Sequence, residues 1–179
     1  MKKILLLSLA FLSTFLWAET LYVMDNTNAY DKEGKEIIGT IARGTPGEKI
    51  GETNGKIIIK VKGYLKDGDK KTLYGTKNLQ LPFIQLKTGE IDSDSIEISL
   101  PKNELNPDQS QAWADAEFLY YDTCSMCHAA HAPKEHNMME WDGLFTTMRA
   151  FAMPTDKEAD IIIQYLKAHA TDGYATDDE

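Results

Sequence analysis

Cys124-Ser125-Met126-Cys127-His128 is the stretch from which the rest of the chain is interpreted. Two cysteines separated by two residues and followed directly by a histidine make the attachment pattern of a c-type haem. In that chemistry the sulfurs of Cys124 and Cys127 form thioether bonds to the haem, and His128 is the proximal iron ligand. The stretch therefore predicts one covalently attached haem c.

The first 18 residues have the features of a secretory signal peptide. Lys2 and Lys3 supply positive charge, Ile4–Trp17 is an apolar run, and the small Ala18 precedes the expected cleavage. The run is shorter than the about 20 residues that cross a bilayer. We expect cleavage, export to the periplasm and no stable membrane insertion, with an uncleaved anchor as the alternative.

Cys124 and Cys127 are the only cysteines in the sequence. In an oxidising compartment two thiols are expected to form a disulfide, bind a metal or carry a haem, and the adjacent His128 favours the haem. One alternative is a zinc site that combines these three residues with His131 or His136. Another is a thioredoxin-like disulfide, which is disfavoured because the sequence before the motif is helical rather than a strand.

Acidic residues are concentrated in the second half of the chain. Residues 19–100 carry 12 basic and 13 acidic side chains, whereas residues 101–179 carry 5 and 15, a net charge of −10. This charge argues against nucleic acid and anionic membranes as partners. It suits a weak encounter with a basic surface of a redox partner, or it serves solubility alone.

Residues 19–100 are predicted to form short strands separated by turns. Lys56–Lys62 is the clearest strand, because a β-branched run follows the hairpin signal Asn54-Gly55. The segment resembles a bacterial SH3-like domain on the residues Tyr22-Val23, Tyr30-Asp31, Gly44-Thr45-Pro46-Gly47, Thr53-Asn54-Gly55, Ile59-Lys60-Val61 and Gly63-Tyr64. The resemblance implies a binding or docking module without catalysis; a scaffold that packs on the second half of the chain is the alternative.

The second half is predicted to form about three helices. The first is expected to begin at Asn106 as its N-cap and to run into Cys124. The second is expected over Met138–Ala150. The third begins at the capping box Thr155-Asp156-Lys157-Glu158 and ends near His169.

The sixth iron ligand determines what an attached haem does. A methionine closes the iron and suits electron transfer, whereas an open position suits gas binding or peroxide chemistry. Met148, on the predicted apolar face of the second helix, is the first candidate, and Met153, beside Pro154, is the alternative. A histidine ligand, or no ligand, stays open at this point.

Other residues near the motif have predicted supporting roles. We expect His131 to bond a haem propionate or the backbone, His136 to lie in a loop, and His169 to pack or cap the third helix. The aromatic residues expected to pack against the haem are Trp113, Tyr120 and Trp141.

A run of residues between positions 118 and 170 carries a family resemblance: Leu119-Tyr120, Cys124–His128, Pro133, Trp141, Met148 and Tyr165–Ala170. It is similar to the C-terminal haem domain of the pentahaem cytochrome of trimethylamine N-oxide respiration. It resembles more closely the stand-alone, SH3-fused monohaem cytochromes c that accompany periplasmic molybdopterin N-oxide and S-oxide reductases. The resemblance supports Met148 and implies a role in anaerobic respiration. Electrons would come from a quinol-oxidising cytochrome complex and go to a periplasmic molybdopterin oxidoreductase that reduces N-oxides or S-oxides.

Together these patterns predict an α+β fold, a small all-β, SH3-like domain followed by an all-α, cytochrome c-like haem domain of about three helices. The expected divisions are the signal peptide at 1–18, the β domain at 19–100, a linker at 101–107, the haem domain at 108–170 and an acidic tail at 171–179, disordered from Asp172 onward. The predicted function is electron transfer without enzymatic activity. The alternative is a haem-based sensor or a peroxidase-like protein with an open sixth site.

Overall fold

The computed structural model describes residues 19–175; the predicted signal peptide at 1–18 and residues 176–179 of the predicted tail lie outside the described residues. The strands are β1 (Thr20–Val23), β2 (Thr27–Tyr30), β3 (Ile37–Ile41), β4 (Pro46–Thr53), β5 (Lys56–Lys62), β6 (Thr72–Tyr74), β7 (Pro82–Leu86), β8 (Ser95–Pro101) and β9 (Leu105–Asn106). The α-helices are α1 (Gln109–Cys124), α2 (Met138–Ala152) and α3 (Asp156–Ala168), and short 3₁₀ helices span Lys102–Glu104 and Pro133–Glu135. None of the helices between residues 19 and 175 is long and apolar enough to cross a membrane.

The strands form one nine-stranded antiparallel sheet in the order β6-β7-β3-β2-β8-β5-β4-β1-β9. β8 lies between β2 and β5 and pairs with the whole length of β5, from Lys56 opposite Pro101 to Lys62 opposite Ser95. The prediction of a small SH3-like domain followed by an all-α haem domain is therefore wrong. The prediction fails because β8 pairs with β5 and β9 pairs with β1, strands that are distant in the sequence. A local pattern of strands and turns does not specify such pairing.

The hairpin between β4 and β5 forms where the sequence indicates it. Asn54 and Gly55 have φ angles of 46° and 75°, the left-handed values that a two-residue hairpin turn requires, so this prediction is confirmed. Along β5, Ile57, Ile59 and Val61 are buried and belong to the apolar cluster of the sheet. The alternation places one face of this strand in the core.

Side-chain caps mark the start of all three α-helices, with Asn137 as the N-cap of α2. The carboxylate of Asp108 accepts a backbone N–H in the first turn of α1, so Asp108 is the N-cap. The predicted N-cap, Asn106, is wrong because Asn106 lies in β9 and its side chain accepts the N–H of Asp108 instead. The predicted capping box of Thr155 and Glu158 at the start of α3 is confirmed.

The sheet and the helices share buried residues. One apolar cluster lies on the sheet and a second lies among the helices, and Tyr174, which follows α3, packs against both. The ring of Tyr174 contacts Phe83 of β7 edge-to-face, with centroids 4.7 Å apart. Leu81, which precedes β7, is buried in the helical cluster. The buried Arg43, between β3 and β4, donates from its guanidinium to the carbonyl of Ala112 in α1 across 2.9 Å.

The segment Asp172–Ala175 is held by the fold, so the predicted disorder is wrong for these residues. The Asp172 carboxylate accepts the backbone N–H of Met138 across 2.8 Å and the side-chain N–H of Asn78 across 2.8 Å. An acidic side chain at the first turn of α2 is also favourable to the helix dipole. A residue predicted to lie in an acidic tail therefore caps a helix.

Candidate functional site

The Cys-x-x-Cys-His motif begins at the last residue of α1. Cys124 is half-buried and packs against the helical cluster, whereas Cys127 is exposed, and both are free thiols. Burial raises the pKa of the Cys124 thiol, which keeps this sulfur protonated at neutral pH. Two unpaired sulfurs are therefore presented at the end of one helix.

His128 is exposed and its ring orientation is set by its own backbone neighbour. Its Nδ1 lies 2.8 Å from the carbonyl oxygen of Ala129. A carbonyl only accepts hydrogen bonds, so this contact places the proton on Nδ1 and the lone pair on Nε2. Metal-ligating histidines commonly have this arrangement, in which the second ring nitrogen donates to a carbonyl.

Two buried aromatic residues hold the loop that follows the motif. The phenol of Tyr120 in α1 donates to the carbonyl of His131 across 2.8 Å. The indole of Trp141 in α2 donates to the carbonyl of Pro133 across 2.7 Å. The loop therefore has a defined backbone path between α1 and α2.

The three aromatic residues predicted to pack against a haem are buried in the helical cluster. Trp113, Tyr120 and Trp141 are exposed by 5% or less. Trp113 covers Gly44 of the β3–β4 connection so closely that a Cβ at Gly44 would lie 2.1 Å from its Cζ2. Trp113 thus joins the sheet to α1, while Tyr120 and Trp141 support the loop after the motif.

Met148 and Met153, the two candidate distal ligands, both lie outside the protein core. Met148 is 41% exposed on α2, and Met153 is 80% exposed. Met153 is the C-cap of α2 and adopts a left-handed conformation with φ of 50°. The methionine that fills the core is Met138, at 0% exposure. An ordinary core role is thereby excluded for both candidates.

Exposed large apolar side chains are concentrated on either side of the motif. Eight of the eleven such residues in the described part of the chain lie between positions 118 and 153. They are Phe118, Tyr121, Met126, Met139, Leu144, Met148, Phe151 and Met153. Leu144, Met148 and Phe151 follow one another at helical spacing and form an apolar stripe on α2.

The histidines after the motif form a cluster with a glutamate that the sequence interpretation missed. Nδ1 of His131 and Oε2 of Glu135 lie 2.7 Å apart, and this contact is the largest cause that lowers the pKa of Glu135. The ring of His136 lies between those of His131 and Trp141, with centroids 5.7 Å and 5.0 Å away. The spacing of four residues from His131 to Glu135 was the available sequence signal.

The zinc site considered as an alternative is not assembled. Among residues 19–175, the group of donor atoms that lie within 4.8 Å of one another comes from His131, Glu135 and His136, and it includes neither cysteine nor His128. His169 is buried, caps α3 and contacts the ring of Trp113 at 5.3 Å, as expected for a packing or capping residue.

Comparison with known proteins adds no relative to this description. No family model matches the chain, and neither a curated protein nor a solved structure matches it.

Proposed function

We propose that this protein is a monohaem c-type cytochrome that transfers electrons in the periplasm and has no enzymatic activity of its own. Cys124 and Cys127 would hold the haem through thioether bonds, and His128 would be the proximal iron ligand. Met148 is the first choice for the distal ligand and Met153 the second. When bound, the haem supplies a one-electron couple between ferric and ferrous iron.

The orientation of the His128 ring is the observation that carries this proposal. The Ala129 carbonyl accepts from Nδ1, which leaves the lone pair of Nε2 available for coordination without any change of tautomer. The two sulfurs precede this ring by one and four residues and are both unpaired. The donor set therefore fits covalent haem attachment on the three residues that the motif requires.

The exposed apolar side chains of α2 support the same proposal. A contiguous apolar surface of this kind on a protein marks a binding site for an apolar ligand or partner. The stripe of Leu144, Met148 and Phe151 on α2 offers such a surface together with a thioether sulfur. If Met148 held the iron, Leu144 and Phe151 would be the apolar neighbours of that ligand on α2, and apolar neighbours of an iron ligand tune its reduction potential.

The proposed partners rest on the family resemblance of the second half of the chain. They are a quinol-oxidising cytochrome complex as electron donor and a periplasmic molybdopterin N-oxide or S-oxide reductase as electron acceptor. The net charge of −10 over residues 101–179 supports a transient encounter with a basic surface and disfavours nucleic acid.

Covalent haem attachment is tested by expressing the full chain in a bacterium that exports proteins and ligates haem c. We expect a haem-stained band on a denaturing gel for the wild type, and its loss in the Cys124→Ala/Cys127→Ala variant. A wild-type chain that is exported and carries no covalent haem would contradict the proposal.

The distal ligand is tested by optical spectra of the ferric and ferrous protein. We expect Met148→Ala to lose the methionine–iron band and to bind carbon monoxide readily, with Met139→Ala, another exposed methionine of α2, as the unchanged control. Loss of the band in Met153→Ala alone would assign the second candidate. Carbon monoxide binding by the unaltered protein would instead support the open-site sensor or peroxidase-like alternative.

The acceptor is tested by mixing the reduced protein with a purified N-oxide reductase. Addition of trimethylamine N-oxide should oxidise the haem at catalytic rates. Absence of oxidation with N-oxide and S-oxide reductases alike would remove this partner class while leaving the haem assignment intact.

A further inference from the structure

The loop between the motif and α2 carries a second set of metal-ligand donors. His131, Glu135 and His136 each offer one donor atom, and these atoms lie within 4.8 Å of one another. Two imidazoles and one carboxylate make the donor set of zinc sites with three protein ligands and a water molecule. In a tetrahedral site with bonds of about 2.0–2.1 Å the donors are about 3.3 Å apart, so closure on an ion requires movements of about 1–2 Å.

The backbone that carries these donors is held from three directions. Tyr120 of α1 donates to the carbonyl of His131 across 2.8 Å, and Trp141 of α2 donates to that of Pro133 across 2.7 Å. The N–H of Thr171, after α3, donates to the carbonyl of His136 across 3.0 Å. Hydrogen bonds from the supporting residues fix the frame of a metal site before the metal arrives.

The donor side chains themselves have room to close. The side chains of His131 and Glu135 are about half exposed, at 55% and 50%, and that of His136 is 28% exposed. Their exposure leaves these side chains free of close packing on the solvent side, while Oε1 of Glu135 accepts the backbone N–H of Ala132 across 2.9 Å and so anchors the carboxylate at the cluster. The carboxylate of Glu140, 3.7 Å from Nδ1 of His136, adds negative charge beside the cluster.

We propose that His131, Glu135 and His136 bind one divalent transition-metal ion of the zinc type, separately from the Cys-x-x-Cys-His motif. The fourth position is open to water, because the cluster lies at the protein surface. This site uses no cysteine and does not depend on haem attachment. It therefore goes beyond the proposed electron-transfer function and stands or falls independently of it.

The test is a calorimetric titration of the chelator-treated, full-length wild-type protein with Zn²⁺. We expect one ion per chain and a loss of affinity of at least about tenfold in Glu135→Gln and in His136→Gln. Glu117→Gln, which removes an exposed carboxylate of α1 outside the cluster, is the matched control and should bind as the wild type does. Equal affinity in the wild type and in both ligand variants, or an equal loss in the control, would overturn the site.

A second protein separates this site from the motif. In the Cys124→Ser/Cys127→Ser chain, zinc binding should persist, and bound Co²⁺ should show no thiolate-to-metal charge-transfer band. Loss of binding in this variant, together with such a band in the unmodified apoprotein, would assign the ion to the cysteines and overturn the proposal. The haem-stained gel decides the electron-transfer function and the zinc titration decides this site, so failure of either is recognised separately.

Discussion

The phenolic hydroxyl of Tyr120 donates a hydrogen bond to the backbone carbonyl of His131 across 2.8 Å, and so ties the buried face of α1 to the loop that follows the Cys-x-x-Cys-His motif. Burial is the largest cause that raises the pKa of Tyr120, so the hydroxyl keeps its proton throughout the neutral range. One buried side chain therefore fixes the position of a candidate metal ligand eleven residues later.

Tyr120→Phe should destabilise the protein by about 1–3 kcal/mol, because the part-buried carbonyl of His131 loses its partner. The measurement is urea unfolding of the full chain, followed by far-ultraviolet circular dichroism. Tyr64→Phe, at a tyrosine between β5 and β6 whose side chain is 40% exposed, is the control and should change the free energy of unfolding by less than about 0.5 kcal/mol. Equal midpoints for the two variants would contradict a structural role for this bond.

Gly44→Ala should cost about 2–5 kcal/mol of stability. Gly44 has a φ of +74°, which is strained for alanine, and its new Cβ would overlap the Trp113 ring. Gly68→Ala isolates the backbone contribution, because Gly68 has a φ of +80° and no heavy atom within 4 Å of the added Cβ. This variant should lose about 1–2 kcal/mol of stability. Thermal unfolding measures the stability of both variants. Equal losses of stability would show that the Trp113 ring moves away from the added Cβ at little cost and would contradict the prediction.

Tyr174→Phe should stabilise the protein by about 1 kcal/mol. The Tyr174 hydroxyl is buried and has no hydrogen-bond partner among the described residues, so its removal relieves a desolvation cost. Tyr174→Ala should do the opposite and cost about 3 kcal/mol, because it removes the ring that packs on Phe83 and on both apolar clusters. A destabilised Tyr174→Phe variant in chemical unfolding would indicate that the hydroxyl has a partner in solution.

The capping box of α3 should make a pH-dependent contribution to stability. The side-chain hydroxyl and backbone N–H of Thr155 both donate to Glu158 and lower its pKa below the ordinary value of 4.5. A carboxyl whose pKa is lower in the folded state stabilises the protein above its unfolded pKa, and this stabilisation is lost as the pH falls through the folded pKa. The expected window therefore lies at and below pH 4.5.

A carbon-detected NMR titration of Glu158 measures this effect. Thr155→Ala should move the Glu158 midpoint up towards 4.5, whereas Thr147→Ala, on α2, should leave it where it is. An unchanged midpoint in Thr155→Ala would mean that the capping hydroxyl does not determine the pKa.

Features encoded within a few residues were predictable from the sequence. The left-handed turn at Asn54-Gly55 and the capping box at Thr155 depend on neighbouring residues only, and both were found where expected. The position of β8 between β2 and β5 depends on pairing with residues 39 positions earlier in β5 (Ile59 with Ile98) and 69 positions earlier in β2 (Tyr30 with Ser99), which local patterns do not specify. This is why the β region was predicted as a small SH3-like unit rather than as part of a nine-stranded sheet.

In the candidate site too, features set by neighbouring residues could be predicted, whereas features set by the fold could not. The motif at Cys124–His128 and its order of residues are visible in the sequence, whereas the tautomer of His128 follows from the path of the chain at Ala129. The contact of Trp113 with Gly44 could not be predicted from the sequence, because Gly44 lies 69 positions earlier in a turn of the sheet. The four-residue spacing of His131 and Glu135 is visible in the sequence. That the pair forms a cluster of metal-ligand donors depends on His136, whose donor atom the loop places within 4.8 Å of theirs.

The contact between Tyr174 and Phe83 also sets an order of assembly. Tyr174 follows all three helices in the chain, so the sheet core around Phe83 is completed only after α3 has been synthesised and has emerged. Contacts between residues so far apart in sequence form late, because the intervening chain must first be brought together. Cys124 and Cys127 precede Tyr174 in the chain, so both thiols are synthesised before the contact that joins the sheet to the helical cluster can form.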